Sequence, residues 1–236
     1  MKPVAIFRHS ATEGPGYFAT YLESRGVPWV LIKIDQGEEV PRSADPYAGL
    51  VLMGGPMSVN DDLPWIPLVL ELVRKSVASE IPVLGHCLGG QLMSKALGGT
   101  VTRNPVKEIG WGTVTVADDL EARRWFGGET AFLGFHWHGE TFSVPSGARR
   151  IAMSEHCANQ AFSFGKHLGL QCHVEMTRGL IAAWCADWGR EVSSLAASVP
   201  SVQKPEEMQR ELDSRLPALN RVADRLYDRW VEGLNR

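Results

Sequence analysis

Short apolar runs alternate with longer amphipathic segments through the first hundred residues, and this alternation limits the possible fold more than any other feature. The runs contain few polar residues, which is typical of parallel strands that are covered on both faces. A strand, a helix and a second parallel strand form a βαβ unit, so the pattern predicts an α/β fold with a mostly parallel sheet. Predicted strands occupy residues 3–7, 28–34, 48–53 and 81–84, and predicted helices occupy residues 16–25, 65–79 and 88–97.

The pattern changes after about residue 100. Residues 111–116, 131–135 and 160–164 are short strand-like pieces, which predict an antiparallel extension of the same sheet. A helix is predicted over residues 177–188, and the Ser-, Ala- and Pro-containing residues 193–205 are predicted to be a linker.

We therefore divide the chain into a domain over residues 1–192 and a C-terminal helical extension over residues 193–236. Apolar residues in the extension recur at spacings of three or four, and Pro217 is placed to end one helix and begin the next. Such an apolar stripe has to be buried. Packing on the chain's own domain is preferred, and a subunit interface in a homo-oligomer is the alternative.

The composition excludes several classes of partner. The 44% hydrophobic content is enough to bury a core without metal or disulfide cross-links, and the four cysteines form no CxxC pair. A net charge of −3 without any Lys/Arg cluster argues against nucleic acid as a partner. The N-terminal apolar run is too short for a signal peptide, and no stretch has the length of a membrane span. We expect a soluble, cytoplasmic protein that does not bind a membrane.

The segment Phe135-His136-Trp137-His138 is the natural place to look for a metal site. Two histidines at positions i and i+2 can face the same way on a strand, but no third ligand stands at a recognisable spacing. We predict neither a metal site nor another cofactor.

The sequence GHCLGGQ at residues 85–91 places Cys87 where a predicted strand turns into a predicted helix. A side chain there projects from the carboxyl edge of the sheet, where open α/β folds bind their ligands. The glycines at 85, 89 and 90 fit a sharp turn. A cysteine taken alone is more often a buried and unreactive residue, so this segment by itself leaves both interpretations open.

Two other segments favour a reactive Cys87. In GLQCHVE at residues 169–175, His173 and Glu175 point the same way on an extended stretch, so the carboxylate can orient the imidazole. In LMGGPMSV at residues 52–59, a strand again runs into glycines at the same predicted edge. Backbone N–H groups of Gly55 and Leu88 could converge there on an oxyanion.

These three segments, in this order, resemble the class I glutamine amidotransferase family, which uses a Cys-His-Glu triad. GGP at 54–56 is similar to the family's oxyanion loop, GHCLGGQ to its G-x-C-x-G-x-Q elbow, and GLQCHVE to its G-x-Q-F-H-P-E segment. The resemblance covers about residues 3 to 190. It implies Cys87 as the nucleophile, His173 as the base and Glu175 as the acid that orients it.

The resemblance also implies a substrate pocket. Gln91 would help to hold glutamine, and the backbones of Gly55 and Leu88 would form the oxyanion hole. WHGE at 137–140 is similar to the family's S-H-G-D segment, which implies Trp137 and His138 in the pocket. With the predicted strands, the resemblance favours a flavodoxin-like open sheet with helices on both faces, an antiparallel extension and a C-terminal helical tail.

The chain departs from the family pattern at three positions. Val174 replaces a proline, which loosens the turn but removes neither catalytic group. Cys172 stands where phenylalanine is common, and alternation points it to the opposite face from His173, so we interpret it as a packing residue. Trp137 replaces a small residue and could reshape the pocket. On a predicted helix, Trp184 and Trp188 are likewise interpreted as packing residues.

The resemblance implies hydrolysis of the glutamine γ-amide through a cysteine thioester, which yields glutamate and ammonia. A synthetase on a separate chain would be the partner that accepts the ammonia. One alternative is a stand-alone hydrolase of γ-glutamyl peptides or conjugates, and another is a non-catalytic scaffold subunit. The elbow would also fit an α/β-hydrolase with a cysteine nucleophile, but the GGP and HVE segments favour the amidotransferase family.

Overall fold

The computed structural model describes residues 1–234, and its strands form one nine-stranded sheet. The strands are β1 (Val4–Arg8), β2 (Trp29–Lys33), β3 (Gly49–Leu52), β4 (Val83–His86), β5 (Val101–Val116), β6 (Ala131–Phe142), β7 (Arg149–Met153), β8 (Ala161–Phe164) and β9 (His167–Leu170). The helices are α1 (Tyr17–Ser24), α2 (Trp65–Ala78), α3 (Leu88–Ala96), α4 (Leu120–Phe126), α5 (Arg178–Ala196), α6 (Pro205–Met208) and α7 (Leu212–Glu232). A short 3-10 helix covers Ile34–Gln36.

The strand order across the sheet is β2-β1-β3-β4-β9-β8-β7-β5-β6. The first five strands pair in parallel, and from β9 onwards each neighbouring pair is antiparallel. The parallel half has the flavodoxin-like order, with β9 as its fifth strand. The predicted fold class is confirmed, including the antiparallel extension and the C-terminal helix.

The central strands are apolar because both of their faces are covered. All residues of β3 and β4 are buried. One face packs against α2 and α3 through residues such as Val69 and Leu92, and the other packs against α1 and the C-terminal helices through residues such as Phe18 and Leu226. A parallel sheet sandwiched in this way aligns the loops after β1, β3 and β4 at one edge.

The antiparallel half is larger than the sequence predicts. The predicted pieces at 111–116 and 131–135 belong to the long strands β5 and β6, and neither β7 nor β9 was predicted. The apolar pattern of β5 is broken where its pairing with β6 shifts register between Arg103 and Glu108, a stretch that contains Pro105. A bulge of this kind interrupts the alternation of apolar and polar residues that marks a strand in sequence.

The C-terminal helix α7 is continuous through Pro217, so the predicted helix break at this proline is wrong. Proline lacks the N–H that would bond to the carbonyl four residues earlier, which belongs to Asp213. Asp213 lies in the first turn and is exposed, so solvent can satisfy that carbonyl. The proline is therefore tolerated close to the beginning of the helix.

Helix α7 packs its apolar face against the rest of the described chain. Trp230 and Tyr227 are fully buried and contact Phe18 of α1, with ring centroids 5.9 and 4.7 Å apart. The Tyr17 hydroxyl donates a hydrogen bond to Asp224 over 2.8 Å. The predicted boundary at residues 192 and 193 falls inside α5, so the division into two parts stays a prediction.

Replacing Trp230 with alanine is expected to lower the free energy of unfolding by about 3–5 kcal/mol, because it removes a fully buried indole. Urea titration followed by far-UV circular dichroism measures this change. Arg221→Ala on the exposed side of α7 is the matched control and should shift stability by less than about 0.5 kcal/mol. Equal stabilities for the two variants would show that the extension does not stabilise the domain.

Candidate active site

Cys87 lies in a sharp turn between β4 and α3. Its backbone has φ 49° and ψ −106°, outside the regions that L-residues favour, and its N–H donates a 2.8 Å hydrogen bond to the carbonyl of Leu170. This turn places the side chain of Cys87 at the carboxyl edge of the parallel strands. Cys87 is 6% exposed and lines a cavity.

Glycines make this turn possible because other backbone segments touch it on both sides. A Cβ at Gly85 would lie 2.5 Å from the nitrogen of Gly90, and a Cβ at Gly90 would lie 2.5 Å from the carbonyl oxygen of Leu170. A Cβ at Gly89 would collide with the carbonyl of Leu52. Real Cβ atoms do not approach backbone this closely, so the elbow needs glycine at all three positions.

His173 and Glu175 follow β9 and are joined by a short hydrogen bond. His173 Nδ1 donates to Glu175 Oε1 over 2.6 Å, and the His173 N–H donates to the carbonyl of Phe135. Burial disfavours the charged ring, but Glu175 and the Cys87 sulfur outweigh it and hold the pKa of His173 well above its usual range. His173 Nε2 makes no hydrogen bond of ordinary geometry within residues 1–234. It is therefore the nitrogen left to exchange a proton with the sulfur.

Glu175 is almost fully buried, and two histidines stabilise its charge. Burial alone would raise the pKa of Glu175, but His86 and His173 lower it to about 2. Its Oε2 lies 3.8 Å from His86 Nε2, which is 3.1 Å from the Tyr227 hydroxyl of α7. Glu175 is therefore ionised at neutral pH. The C-terminal helix α7 contacts His86, the histidine that lies next to Glu175.

The loop after β3 meets the start of α3 beside Cys87. A Cβ at Gly55 would lie 2.7 Å from Leu88 Cδ2 and 2.5 Å from the sulfur of Met57. Leu88 opens α3, where the backbone N–H groups have no partner inside the helix. The structure thus brings the two predicted oxyanion-hole residues together, and their role stays a prediction.

Gln91 lies in the cavity wall and is linked to the Cys87 sulfur through a second glutamine. Gln91 Nε2 donates to Gln171 Oε1 over 3.1 Å, and Gln171 Nε2 donates to the Cys87 sulfur over 3.5 Å. Gln171 belongs to the GLQCHVE segment, but nothing in that segment indicates a contact between its side chain and the sulfur. The carbonyl of Trp137 also lies 4.0 Å from this sulfur.

The ring of His138 makes hydrogen bonds within the protein. Its Nδ1 donates to the carbonyl of Glu140 over 3.0 Å, and its Nε2 lies 3.1 Å from Glu108 Oε2. Glu108 also accepts hydrogen bonds from Ser154 and Gln160, over 2.7 and 2.8 Å. His138 lines the cavity, but both of its ring nitrogens already have partners. Its predicted contact with substrate therefore stays a prediction.

One atom each of Glu108, His136 and His138 lies within 4.8 Å of the others, a grouping that could hold a metal ion. Glu108 is the possible third ligand, which the spacing of the two histidines in the sequence did not indicate. It comes from β5, which pairs with β6 across the sheet, and so no local motif links the three. The hydrogen bond between Glu108 and His138 accounts for their proximity without an ion.

Three tryptophans form a wall beside His173. Trp184 packs edge-on against the imidazole, with ring centroids 4.9 Å apart. The ring centroid of Trp137 lies 5.5 Å from that of Trp184 and 5.8 Å from that of Trp188. All three line the cavity. The predicted packing of Trp184 and Trp188 is present, but these side chains also bound the site.

Glu13 is a cavity residue that the sequence analysis missed. It lies in the loop after β1 and is 7% exposed. Burial raises the pKa of Glu13 to about 7, against the opposing effect of His173. No motif marks this residue, and the available signal was its position after a strand at the edge where α/β folds bind ligands.

The cavity around Cys87 and His173 has a volume of about 790 Å³, within the range of small-molecule sites. The other three cysteines, Cys157, Cys172 and Cys185, are free and buried, and none of them lines it. Cys172 lies in the apolar core, as predicted from its alternation with His173. Among residues 1–234, no helix combines the length and the apolar character that crossing a lipid bilayer requires.

A parallel sheet with a strained cysteine elbow, and a His-Glu pair facing it, defines a cysteine-dependent α/β enzyme. The chain belongs to the class-I glutamine amidotransferase family, whose model matches residues 17–183. This confirms the predicted family and the predicted enzyme class, a class I amidotransferase that cleaves an amide bond.

Relatives and solved structures agree with this assignment. The glutamine amidotransferase-like protein YfeJ of Salmonella typhimurium is 32% identical over 72% of this chain and 74% of its own length. Gamma-glutamyl peptidase 3 of Arabidopsis thaliana is 28% identical over 70% of this chain and 71% of its own. The crystal structure of a glutamine amidotransferase from Methylobacillus flagellatus superposes with a TM-score of 0.97, at 44% identity, over 100% of this chain and 96% of that one.

Proposed function

We propose that the protein hydrolyses the γ-glutamyl amide bond, with Cys87 as nucleophile, His173 as general base and acid, and Glu175 as the residue that orients His173. The observation that carries this proposal is the 2.6 Å hydrogen bond from His173 Nδ1 to Glu175, which leaves Nε2 on the side of the Cys87 sulfur. Nucleophile, base and orienting acid in this arrangement are what acyl transfer requires.

In the first half of the reaction, His173 Nε2 takes the thiol proton and the sulfur attacks the γ-carbonyl carbon. The backbone N–H groups of Gly55 and Leu88 stabilise the oxyanion that forms. The C–N bond then breaks as the imidazolium gives its proton to the leaving nitrogen, which leaves a γ-glutamyl thioester on Cys87.

In the second half, His173 takes a proton from water and the resulting hydroxide attacks the thioester carbonyl. The C–S bond breaks, the proton returns to the sulfur, and glutamate is released. The charge of Glu175 stabilises the imidazolium in both halves, since its low pKa keeps it ionised. No cofactor takes part in these steps.

Glutamine is the substrate that family membership favours, and the products would be glutamate and ammonia. We propose a synthetase that uses this ammonia as the partner. The predicted cytoplasmic location is consistent with such a partner and stays a prediction.

A γ-glutamyl peptide or conjugate is a second candidate substrate. It is favoured by the cavity of about 790 Å³ and its tryptophan wall beside His173, which leave room for a leaving group larger than ammonia. The similarity to a protein named gamma-glutamyl peptidase supports the same candidate.

A two-substrate assay with active-site labelling tests this function. Ammonia release from L-glutamine is compared with alanine release from γ-glutamyl-L-alanine, and 6-diazo-5-oxo-L-norleucine is used as an electrophilic glutamine analogue. We expect hydrolysis of at least one substrate and labelling of Cys87 in preference to Cys157, Cys172 and Cys185, because those three lie outside the cavity. A protein that cleaves neither substrate and is not labelled would instead be a scaffold subunit.

A further inference from the structure

The Glu13 carboxyl group is an ionisable group in the active site that the hydrolytic mechanism does not use. It is more than nine-tenths buried, yet within residues 1–234 its side chain makes no hydrogen bond or ion pair. It nevertheless lines the cavity that contains Cys87 and His173. Burying an ionised carboxylate without a partner is costly, and this cost raises the pKa of Glu13 to about 7. Because the group faces a cavity, a cationic ligand there would supply the missing partner and keep the carboxylate ionised.

Glu13 lies on the same side of the cavity as the imidazole of His173. A Cβ at Gly54 would collide with Glu13 Oε2 and would lie 3.4 Å from His173 Cε1, so the carboxylate and the imidazole flank the same glycine. His173 protonates the leaving nitrogen, which places the amine half of the substrate next to the imidazole. Glu13 is therefore close to the amine half of a bound γ-glutamyl amide.

Helix α5 continues this side of the cavity with aromatic rings and a second carboxylate. Trp184, Trp188 and Glu191 line the cavity at spacings of four and three residues, which places them on one face of the helix. Trp184 contacts His173 directly. Aromatic faces and carboxylates are the groups that bind organic cations.

The lysine and arginine of the cavity wall come from a different element. Arg103 and Lys107 line the cavity from the irregular stretch of β5. The side chain of Lys107 lies over Gly139 of β6, where an added Cβ would be 3.2 Å from Lys107 Cε. A γ-glutamyl group carries an α-carboxylate that such cations can attract. The wall around His173 is thus acidic and aromatic, whereas the wall formed by β5 and β6 carries Arg103 and Lys107, with Glu140 opposite Arg103.

We propose that Glu13, with the Trp184–Trp188–Glu191 face of α5, binds a cationic group on the amine half of the substrate. The protein would then prefer γ-glutamyl amides of diamines to those of uncharged amines of the same size. This inference rests on the proposed γ-glutamyl hydrolase function and adds to it the class of leaving group. A bound ammonium supplies the counter-charge that Glu13 lacks in the protein itself.

Two synthetic amides of equal size test the preference. One is the γ-glutamyl amide of 1,4-diaminobutane, whose free end is an ammonium, and the other is the γ-glutamyl amide of n-pentylamine, whose free end is a methyl group. We expect kcat/KM of the wild-type protein to be about 10- to 100-fold higher for the diamine amide, the effect of one charge-assisted hydrogen bond. Glu13→Gln, which keeps the shape and removes the charge, should bring this ratio close to one.

Glu39→Gln is the matched control, because it removes one negative charge from an exposed position outside the cavity and should leave the ratio unchanged. A wild-type protein that cleaves the pentylamine amide as fast as the diamine amide would overturn the inference without any variant. So would a Glu13→Gln variant that loses activity equally on both amides, because Glu13 would then act on the common γ-glutamyl half. Failure to cleave either amide, glutamine or γ-glutamyl-alanine would instead refute the proposed function.

Discussion

Cys87→Ala is expected to lower kcat/KM for the preferred γ-glutamyl substrate by at least about 10,000-fold, because alanine has no atom that can form the thioester. The measurement is the initial rate of ammonia or amine release at substrate concentrations below KM, with the background hydrolysis subtracted. The variant should keep the fold, since alanine is as strained as cysteine at φ 49° and removes only one buried atom. A circular dichroism spectrum and a urea midpoint close to those of the wild type would establish this.

Cys185→Ala is the matched control for this prediction. It also removes one buried thiol, but Cys185 lies on α5 outside the cavity, with its sulfur 3.9 Å from the carbonyl of Pro205. This variant should keep full activity. If Cys87→Ala retained more than a small fraction of the turnover, the nucleophile would have to be another group.

Glu175→Gln is expected to lower kcat/KM by about 1,000- to 10,000-fold with little change in KM. Glu175 Oε1 accepts the Nδ1 proton of His173 and so fixes the tautomer in which Nε2 is free to act as a base. The side-chain amide that replaces the carboxylate in Glu175→Gln can offer an N–H donor to Nδ1. The ring proton would then move to Nε2, which could no longer act as the base. The missing carboxylate also leaves the imidazolium without its counter-charge.

The tautomer can be measured directly. At a pH above the raised pKa of His173, where the ring is neutral, nitrogen-15 NMR should show the ring proton on Nδ1 in the wild type and on Nε2 in Glu175→Gln. The control is Glu23→Gln, an exposed carboxylate on α1 that should affect neither the rate nor the tautomer. Loss of activity with an unchanged tautomer would mean that Glu175 acts through its charge alone.

The sequence was sufficient for the parts of the structure that depend on local pattern. Buried strands such as β3 and β4 were recognisable because apolar runs and flanking glycines are local signals. The cysteine, histidine and glutamate were recognisable because each occurs in a short segment with a fixed spacing, although only the three-dimensional fold brings Cys87 close to His173.

Features that depend on distant contacts were not predictable. Glu13 is important only because the loop after β1 lies beside Gly54 and His173, and no spacing in the sequence encodes that proximity. Glu108 is the cross-strand partner of His138 in β6, at the end of an irregular stretch of β5 that also hid most of this strand from the sequence pattern. Helix α7 tolerates Pro217 because Asp213 is exposed and solvent can reach the freed carbonyl, a condition that depends on exposure and not on residue type.

The backbone of Cys87 has a consequence for how this protein can evolve. A side chain at φ 49° costs about 1–2 kcal/mol relative to glycine, which adopts such angles freely. Selection for a more robust fold and selection for a reactive sulfur therefore oppose each other at this one position. In a lineage freed from the need for catalysis, residue 87 would be among the first to drift, while the three glycines around it would be retained.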